Sequence, residues 1–95
     1  MSRDLDKLRS QIDATDRIIL ATLAKRAKLE RAVGAYKKQR KIKPLDRGRW
    51  AEILETRTRQ GASLGLPRTL TRKLFALIHE HSVSIQRRVS AKKRR

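Results

Sequence analysis

Three cationic side chains in the first forty residues have the types and spacing to bind an anion. Arg26 and Lys37 are eleven residues apart. That is close to three helical turns, so both side chains project from one face, about 16 Å apart along the axis. Arg9 lies about 25 Å from Arg26 along the same helix and points roughly 100° away, so it cannot enter a pocket between Arg26 and Lys37. Two antiparallel copies with midpoints near Leu20 would place Arg9 of one copy beside that region of the other.

Two polar pairs occur later in the chain. Asp46 and Arg49 share one end of a predicted helix, where Asp46 can act as its N-cap, as a functional carboxylate, or as both. Ser82 and Gln86 are four residues apart and therefore face one way, although a serine can also bond to the carbonyl of the preceding turn. A single arginine in so basic a chain is most often a solvated surface group, so only the whole set of spaced residues indicates a binding site.

The histidines do not add a metal site. His79 and His81 are two residues apart, about 200° around a helix, so they cannot clasp one ion. We expect them to be exposed or partly buried neutral side chains. The chain has no cysteine, which excludes thiolate nucleophiles and zinc-cysteine sites. No metal or cofactor is expected.

A single long helix must position the first three cations. The stretch from Leu5 to Lys38 has no proline and only one glycine, Gly34, so nothing in it has to stop a helix. Its apolar residues follow helical steps: Leu5, Leu8, Ile12, Thr15, Ile19 and Leu23, widened by Ile18, Leu20, Leu29, Val33 and Tyr36. Such a rod of roughly 50 Å exceeds the width of a compact domain of this size. A second copy is the expected partner.

Two shorter helices follow. Pro44 ends the first helix, and Asp46 caps a second helix from Arg47 to about Gln60, with Gly61 as its stop. Trp50, Ile53 and Leu54 give that helix its apolar side.

Residues 62–67 form a turn, and Pro67 opens the third helix. The buried side of this third helix is predicted to carry Leu70, Leu74, Phe75, Leu77, Ile78 and Ile85. The nine residues after Gln86 have little apolar content and are expected to fray. One helical domain over residues 1–90 is therefore predicted, with a disordered basic tail over residues 91–95.

Length, charge and composition limit the class of protein to which the chain can belong. Ninety-five residues make one domain with a small core, near the size at which oligomerisation helps stability. The net charge of +17 predicts nonspecific attraction to polyanions but names no function. No apolar run reaches membrane-spanning length and no signal-peptide pattern is present, so the expected location is the cytoplasm, with no membrane partner.

Taken together, the spaced residues resemble a known family. From about Leu5 to Arg88 the chain is similar to the small all-helical chorismate mutases of the AroQ class. The resemblance is carried by Leu8-Arg9, Ala24-Lys25-Arg26, Gly34 with Lys37, Asp46 with Arg49, and Ser82 with Gln86, in register over nearly the whole chain. It implies an all-α fold of three helices per chain in an intertwined homodimer with shared active sites.

One position departs from the family pattern. The family usually has a glutamate directly after the arginine of the second helix, where it helps hold the substrate hydroxyl, and this chain has Trp50. An indole donates one hydrogen bond but cannot accept as a carboxylate does. Trp50 is interpreted first as a packing residue and second as a substrate contact, and its presence predicts weaker binding, a different rotamer or a changed substrate.

The resemblance also implies the chemistry. Chorismate mutases convert chorismate to prephenate by a unimolecular rearrangement that requires no nucleophile, metal or cofactor, as a step of aromatic amino-acid biosynthesis. By resemblance, Arg26 and the Arg9 of a second copy would bind the two substrate carboxylates, and Arg49 would support the site. Lys37 and Gln86 would donate to the ether oxygen. The remaining pair, Asp46 and Ser82, would orient the ring hydroxyl and a carboxylate.

Two alternatives stay open. An isochorismate-pyruvate lyase of the same fold also uses a cationic pocket, although the retention of Asp46 and Ser82 favours the mutase. A basic helical dimer that binds nucleic acid through residues 38–43 and 91–95 is the alternative without catalysis. That binding would be lost at high salt and would survive Lys37→Ala.

Overall fold

The computed structural model describes residues 3–92, which form three α-helices and no strand. Helix α1 spans Arg3–Gln39, α2 spans Arg47–Ser63 and α3 spans Arg68–Ala91. The all-α class and the long first helix are confirmed. Among the described residues, no helix combines the length and the apolar character needed to cross a membrane.

The long helix α1 leaves its first two thirds uncovered. Every residue from Arg3 to Lys25 is exposed, including Leu8 at 57% and Leu20 at 66%. Asp4 and Asp6 in the first turn and Lys37 and Lys38 in the last turn complement the helix dipole. The chain measures 61 × 31 × 14 Å, so the apolar stripe of α1 lies on an extended arm.

The connection to α2 is a tight basic turn. The Ile42 N–H donates to the Lys37 carbonyl at 2.8 Å, and Lys41 adopts a left-handed φ of 57°. Asp46 caps α2 as predicted, its carboxylate accepting from the Arg49 N–H at 3.0 Å.

The predicted end of α2 at Gly61 is wrong. The helix continues to Ser63 with Gly61 buried inside it, and Gly65 takes the left-handed φ of 87° that follows the helix. Gly61 serves a close helix contact instead, because a Cβ there would lie 2.5 Å from the Thr71 hydroxyl oxygen of α3. Gly61 looks like a helix stop in the sequence, and only this tertiary contact shows that it lies inside the helix.

Helix α3 begins after Pro67 as predicted, but it does not fray after Gln86. It runs to Ala91 because its last turns pack on α1, where a Cβ on Gly34 would lie 3.2 Å from the Val89 Cβ. The Lys38 ammonium also donates to the Lys92 carbonyl. The remainder of the predicted tail, residues 93–95, lies outside the described residues.

The core within the chain is small. Among the described apolar residues only Ile53, Val83 and Ile85 are buried. On the predicted buried side of α3, Phe75 and Ile78 are half-buried, but Leu70, Leu74 and Leu77 are exposed. That side is therefore only partly covered by the chain itself.

Helices α1 and α3 run parallel to each other. Arg26 contacts Ser82 and Glu30 contacts Gln86, so moving four residues along one helix moves four residues along the other. Helix α3 packs against both α1 and α2, while α1 and α2 make no close backbone approach to each other in the described range. The opening between α1 and α2 above α3 is where the candidate site lies.

The close contact at Gly61 generates a stability prediction. In Gly61→Ala the new methyl meets a buried threonine that cannot swing away, because its Cγ2 and Cβ are also within 3.4 Å. Overpacking costs about 1–3 kcal/mol, against a gain of about 1 kcal/mol in helix propensity. We expect a net loss of up to about 2 kcal/mol, measured by urea unfolding at fixed protein concentration.

Gly48→Ala is the matched control, because a Cβ at Gly48 would meet only the Asp46 carboxylate oxygen at 3.5 Å. It should be neutral or stabilising by up to about 1 kcal/mol. Adding Thr71→Ala to Gly61→Ala removes the clashing atoms and should recover part of the loss. A Gly61→Ala protein as stable as wild type would contradict the close contact.

Candidate functional site

A cavity of about 210 Å³ opens between the C-terminal half of α1, the start of α2 and the second half of α3. Six of the eight predicted site residues line it: Arg26, Lys37, Asp46, Arg49, Ser82 and Gln86. The structure therefore brings together residues that are up to sixty positions apart in sequence.

Helix α1 contributes one face to this cavity. Its four lining residues follow steps of four, three and four, so they lie along one face of the helix: Arg26, Glu30, Val33 and Lys37. The Arg26 guanidinium donates to the Ser82 hydroxyl oxygen. The Lys37 ammonium donates to the Pro44 carbonyl at 2.8 Å, which leaves two of its three N–H donors available.

Helix α2 contributes its N-terminal turn. The cap at Asp46 fixes the carboxylate beside the first backbone N–H groups, so one of its oxygens is already engaged. Arg49 reaches the cavity but also pairs with Glu52. Both side chains of that pair are more than half exposed, so the pair adds little stability and Arg49 can rearrange.

Helix α3 contributes two buried polar residues, Ser82 and Gln86. Gly34 allows α1 to approach closely here, since a Cβ on it would lie 3.1 Å from the Gln86 Cα. The Gln86 amide nitrogen donates to Glu30, and its oxygen Oε1 is buried with no hydrogen-bond partner among the described residues. Such an acceptor is costly to leave unpaired, which favours a ligand that carries a donor.

Sequence reasoning missed Glu30. Its carboxylate lines the cavity, accepts from Gln86 and lies 3.5 Å from the Arg26 guanidinium. A signal was available, because Glu30 lies four residues after Arg26 and seven before Lys37 on the same helical face.

Trp50 lies beside the cavity rather than on its wall. The indole stacks on His79 with ring centroids 4.1 Å apart and planes within 13°, and it is His79 that lines the cavity. The packing interpretation of Trp50 is therefore the one that its contacts favour. The stack offsets part of the solvation that each ring loses.

The environment of His79 favours the neutral imidazole. Partial burial lowers the pKa of His79 below its ordinary value of 6.5, the Glu30 carboxylate opposes this by raising it, and the Arg26 guanidinium lowers it. The ring therefore adds no positive charge to the cavity at neutral pH.

Arg9 does not reach the cavity of its own chain. It lies seventeen residues before Arg26 on an unbroken helix, about 25 Å away, and is exposed. This is the separation expected from the sequence.

The chemistry available to the cavity is electrostatic. It holds three cations, Arg26, Lys37 and Arg49, against two carboxylates, Glu30 and Asp46, together with a serine hydroxyl and a glutamine amide. Among residues 3–92 no three His, Asp or Glu side chains are grouped as metal ligands would be. The arrangement can bind and orient a small anion and stabilise negative charge that develops on it.

Comparison with known proteins identifies one family. The model of the family described as chorismate mutase type II matches residues 8–87, which is most of the chain. The match includes every residue that lines the cavity, and also Arg9 and Trp50. No curated protein matches the chain.

The Trp50–His79 stack generates a pH prediction. Because the folded state holds His79 with a lowered pKa, its contribution to stability is fully present above pH 6.5 and is lost as the pH falls through the lowered value. Trp50 is the only tryptophan, and a protonated imidazole stacked on it quenches its emission. We expect emission to fall on acidification with a midpoint below pH 6.5.

His79→Phe keeps a stacking ring but should abolish this transition. His81→Gln is the matched control, since His81 is exposed and lies about 200° around the helix from His79. It should retain the transition. A midpoint at or above 6.5, or a transition that survives His79→Phe, would show that another group is being observed.

Proposed function

The chain belongs to the chorismate mutase type II family, and on that premise we propose that it converts chorismate to prephenate in a homodimer whose two active sites are shared between subunits. The family is one of isomerases, and chorismate is its substrate. The observation that carries the proposal is the gathering of Arg26, Lys37, Arg49 and Gln86 around one cavity.

The reaction is an intramolecular rearrangement in which one carbon–oxygen bond breaks as one carbon–carbon bond forms. No atom is gained or lost, so the protein has only to hold the flexible dianion in its compact reactive shape and to stabilise charge growing on the ether oxygen. Fixing the reactive geometry and supplying preorganised donors are the two effects that such a cavity can provide.

The donors of the cavity match these tasks. Arg26 presents a planar guanidinium that can pair with a carboxylate. Lys37 retains two N–H donors beyond its bond to the Pro44 carbonyl, and Gln86 retains one amide N–H beyond its bond to Glu30. These last two are proposed to donate to the ether oxygen, with Asp46 and Ser82 orienting the hydroxyl and a carboxylate.

The homodimer is proposed from the surface of the single chain. The exposed stripe of α1 meets the exposed leucines of α3, since Ile19 lines one surface groove with Leu70 and Leu74. Contiguous apolar surface of this extent marks an interface in soluble proteins, and a domain of this size gains stability from one. Antiparallel pairing of two α1 helices would bring the partner's Arg9 to the cavity as a second guanidinium.

The setting of the proposed reaction is aromatic amino-acid biosynthesis in the cytoplasm. The lyase alternative uses the same fold with a related substrate, isochorismate, and releases pyruvate. Incubation with each substrate and identification of the products separates the two, because prephenate forms only by the rearrangement and pyruvate only by the elimination.

Removal of either proposed ether-oxygen donor tests the function. Lys37→Ala and Gln86→Ala should each lower kcat for chorismate by about 10²–10³-fold, because one donor to the developing charge is lost. The measurement is the loss of chorismate absorbance, with prephenate identified as the product.

Lys28→Ala is the matched control, since Lys28 is an exposed lysine of α1 that points away from the cavity stripe. It should retain nearly full turnover. Circular dichroism and sedimentation should show that all three variants keep the fold and assembly of the wild type. Full turnover in Lys37→Ala would contradict the proposed mechanism.

A mixing experiment tests the shared sites. Arg9→Ala and Arg26→Ala should each be inactive alone. A dimer that contains one chain of each kind has one intact site, so co-expressed or co-refolded chains should recover up to about a quarter of wild-type activity. No recovery from a mixture shown to contain mixed dimers would mean that Arg9 does not act across subunits.

A further inference from the structure

Glu30 occupies donors that the proposed reaction needs. Its two carboxylate oxygens face different partners: Oε2 accepts from the Gln86 amide nitrogen and Oε1 lies 3.5 Å from the Arg26 guanidinium. These are the groups assigned above to the substrate ether oxygen and to a substrate carboxylate. One internal carboxylate therefore contacts both.

The Arg26–Glu30 pair is more shielded than the other ion pairs among the described residues. The side chains of Arg26 and Glu30 are 28% and 17% exposed, against 53% and 58% for Arg49 and Glu52 and 67% and 77% for Arg59 and Glu55. Charge interactions strengthen as water is excluded, so this pair is the one that a ligand would have most difficulty displacing.

We propose that Glu30 acts as an internal competitor for the anion site and thereby sets how strongly the protein binds a dianion. The inference rests on the proposed function and deepens it. A substrate carboxylate must either displace Glu30 from Arg26 or share the guanidinium with it at a cost in like-charge repulsion. Glu30 is thus a specificity-determining residue that weakens binding of doubly charged ligands.

The same contact also positions Gln86. A carboxylate accepts hydrogen bonds and cannot donate them, so Glu30 holds the amide with its nitrogen inward toward α1. Glutamine at position 30 can still accept from the Gln86 nitrogen through its own oxygen, but it carries no charge to hold Arg26. Glu30→Gln should therefore remove the competition for Arg26 while it keeps the contact that positions Gln86.

The first readout is steady-state kinetics with chorismate. Glu30→Gln should lower KM roughly tenfold, because the competing charge is removed, while kcat stays within about twofold because the Gln86 contact is retained. Glu30→Ala should also lower KM, but kcat should fall because the amide loses its acceptor.

Glu55→Gln is the matched control. It makes the same change of residue and of charge on an exposed part of α2 that does not line the cavity. It should leave both parameters unchanged, which excludes a general effect of raising the net charge. Circular dichroism of each variant shows that the fold is kept.

The second readout does not need turnover. Malate is an unreactive dicarboxylate with a hydroxyl group, and calorimetric titration should show it binding roughly tenfold more tightly to Glu30→Gln than to the wild type or to Glu55→Gln. Tightened malate binding without chorismate turnover would overturn the proposed function and leave the inference standing.

Turnover by the wild type with a KM that is unchanged or raised in Glu30→Gln would overturn the inference and leave the function standing. That result would make Glu30 a binding or structural group. Absence of both turnover and malate binding in all proteins would overturn both.

Discussion

The parallel register between α1 and α3 is the constraint on which the rest of the site depends. Two hydrogen bonds join these helices, and in both the partners are 56 residues apart: Arg26 with Ser82, and Glu30 with Gln86. A shift of one helix by one residue relative to the other would therefore break both bonds. Gly34 secures this register, because any side chain there would press on the backbone at Gln86. The second helix then has only to bring its capped N-terminus over the opening.

The register pairs polar groups of α1 with polar groups of α3, but it leaves most of the apolar surface of the chain uncovered. From Arg3 to Lys25 every residue of α1 is exposed, and the leucines of α3 that sequence patterning predicts to be buried are mostly uncovered. A chain with three buried apolar residues in its described range gains little from burial against the entropy of ordering a helix of 37 residues. In the proposed dimer, one contact between α1 helices would both cover this surface and deliver Arg9.

Signals within a few residues of each other predict much of this architecture. The features that depend on contacts between helices cannot be predicted in this way. The absence of proline across residues 5–38 and the cap at Asp46 act within a few residues, so the sequence reveals them. Gly61 and Gly65 are both plausible helix stops, and only the approach of Thr71 shows that Gly61 is inside the helix. Glu30 shares a helical face with Arg26 and Lys37, but only the placement of α3 shows that it contacts Gln86. The resemblance supplied the set of site residues, and Glu30 was not part of that set.

The charge of the whole chain and the charge of the cavity serve different purposes. The net charge of +17 predicts an unselective, long-range attraction for anions, which salt screens. The cavity itself holds three cations and two carboxylates, a net of +1 from one chain. The partner's Arg9 would raise that net charge to +2, which would balance the −2 charge of a dicarboxylate, so the proposed assembly matches its ligand only when both subunits contribute. Selection of the substrate then follows from the placement of a few groups in a shielded space, and one of those groups, Glu30, works against it.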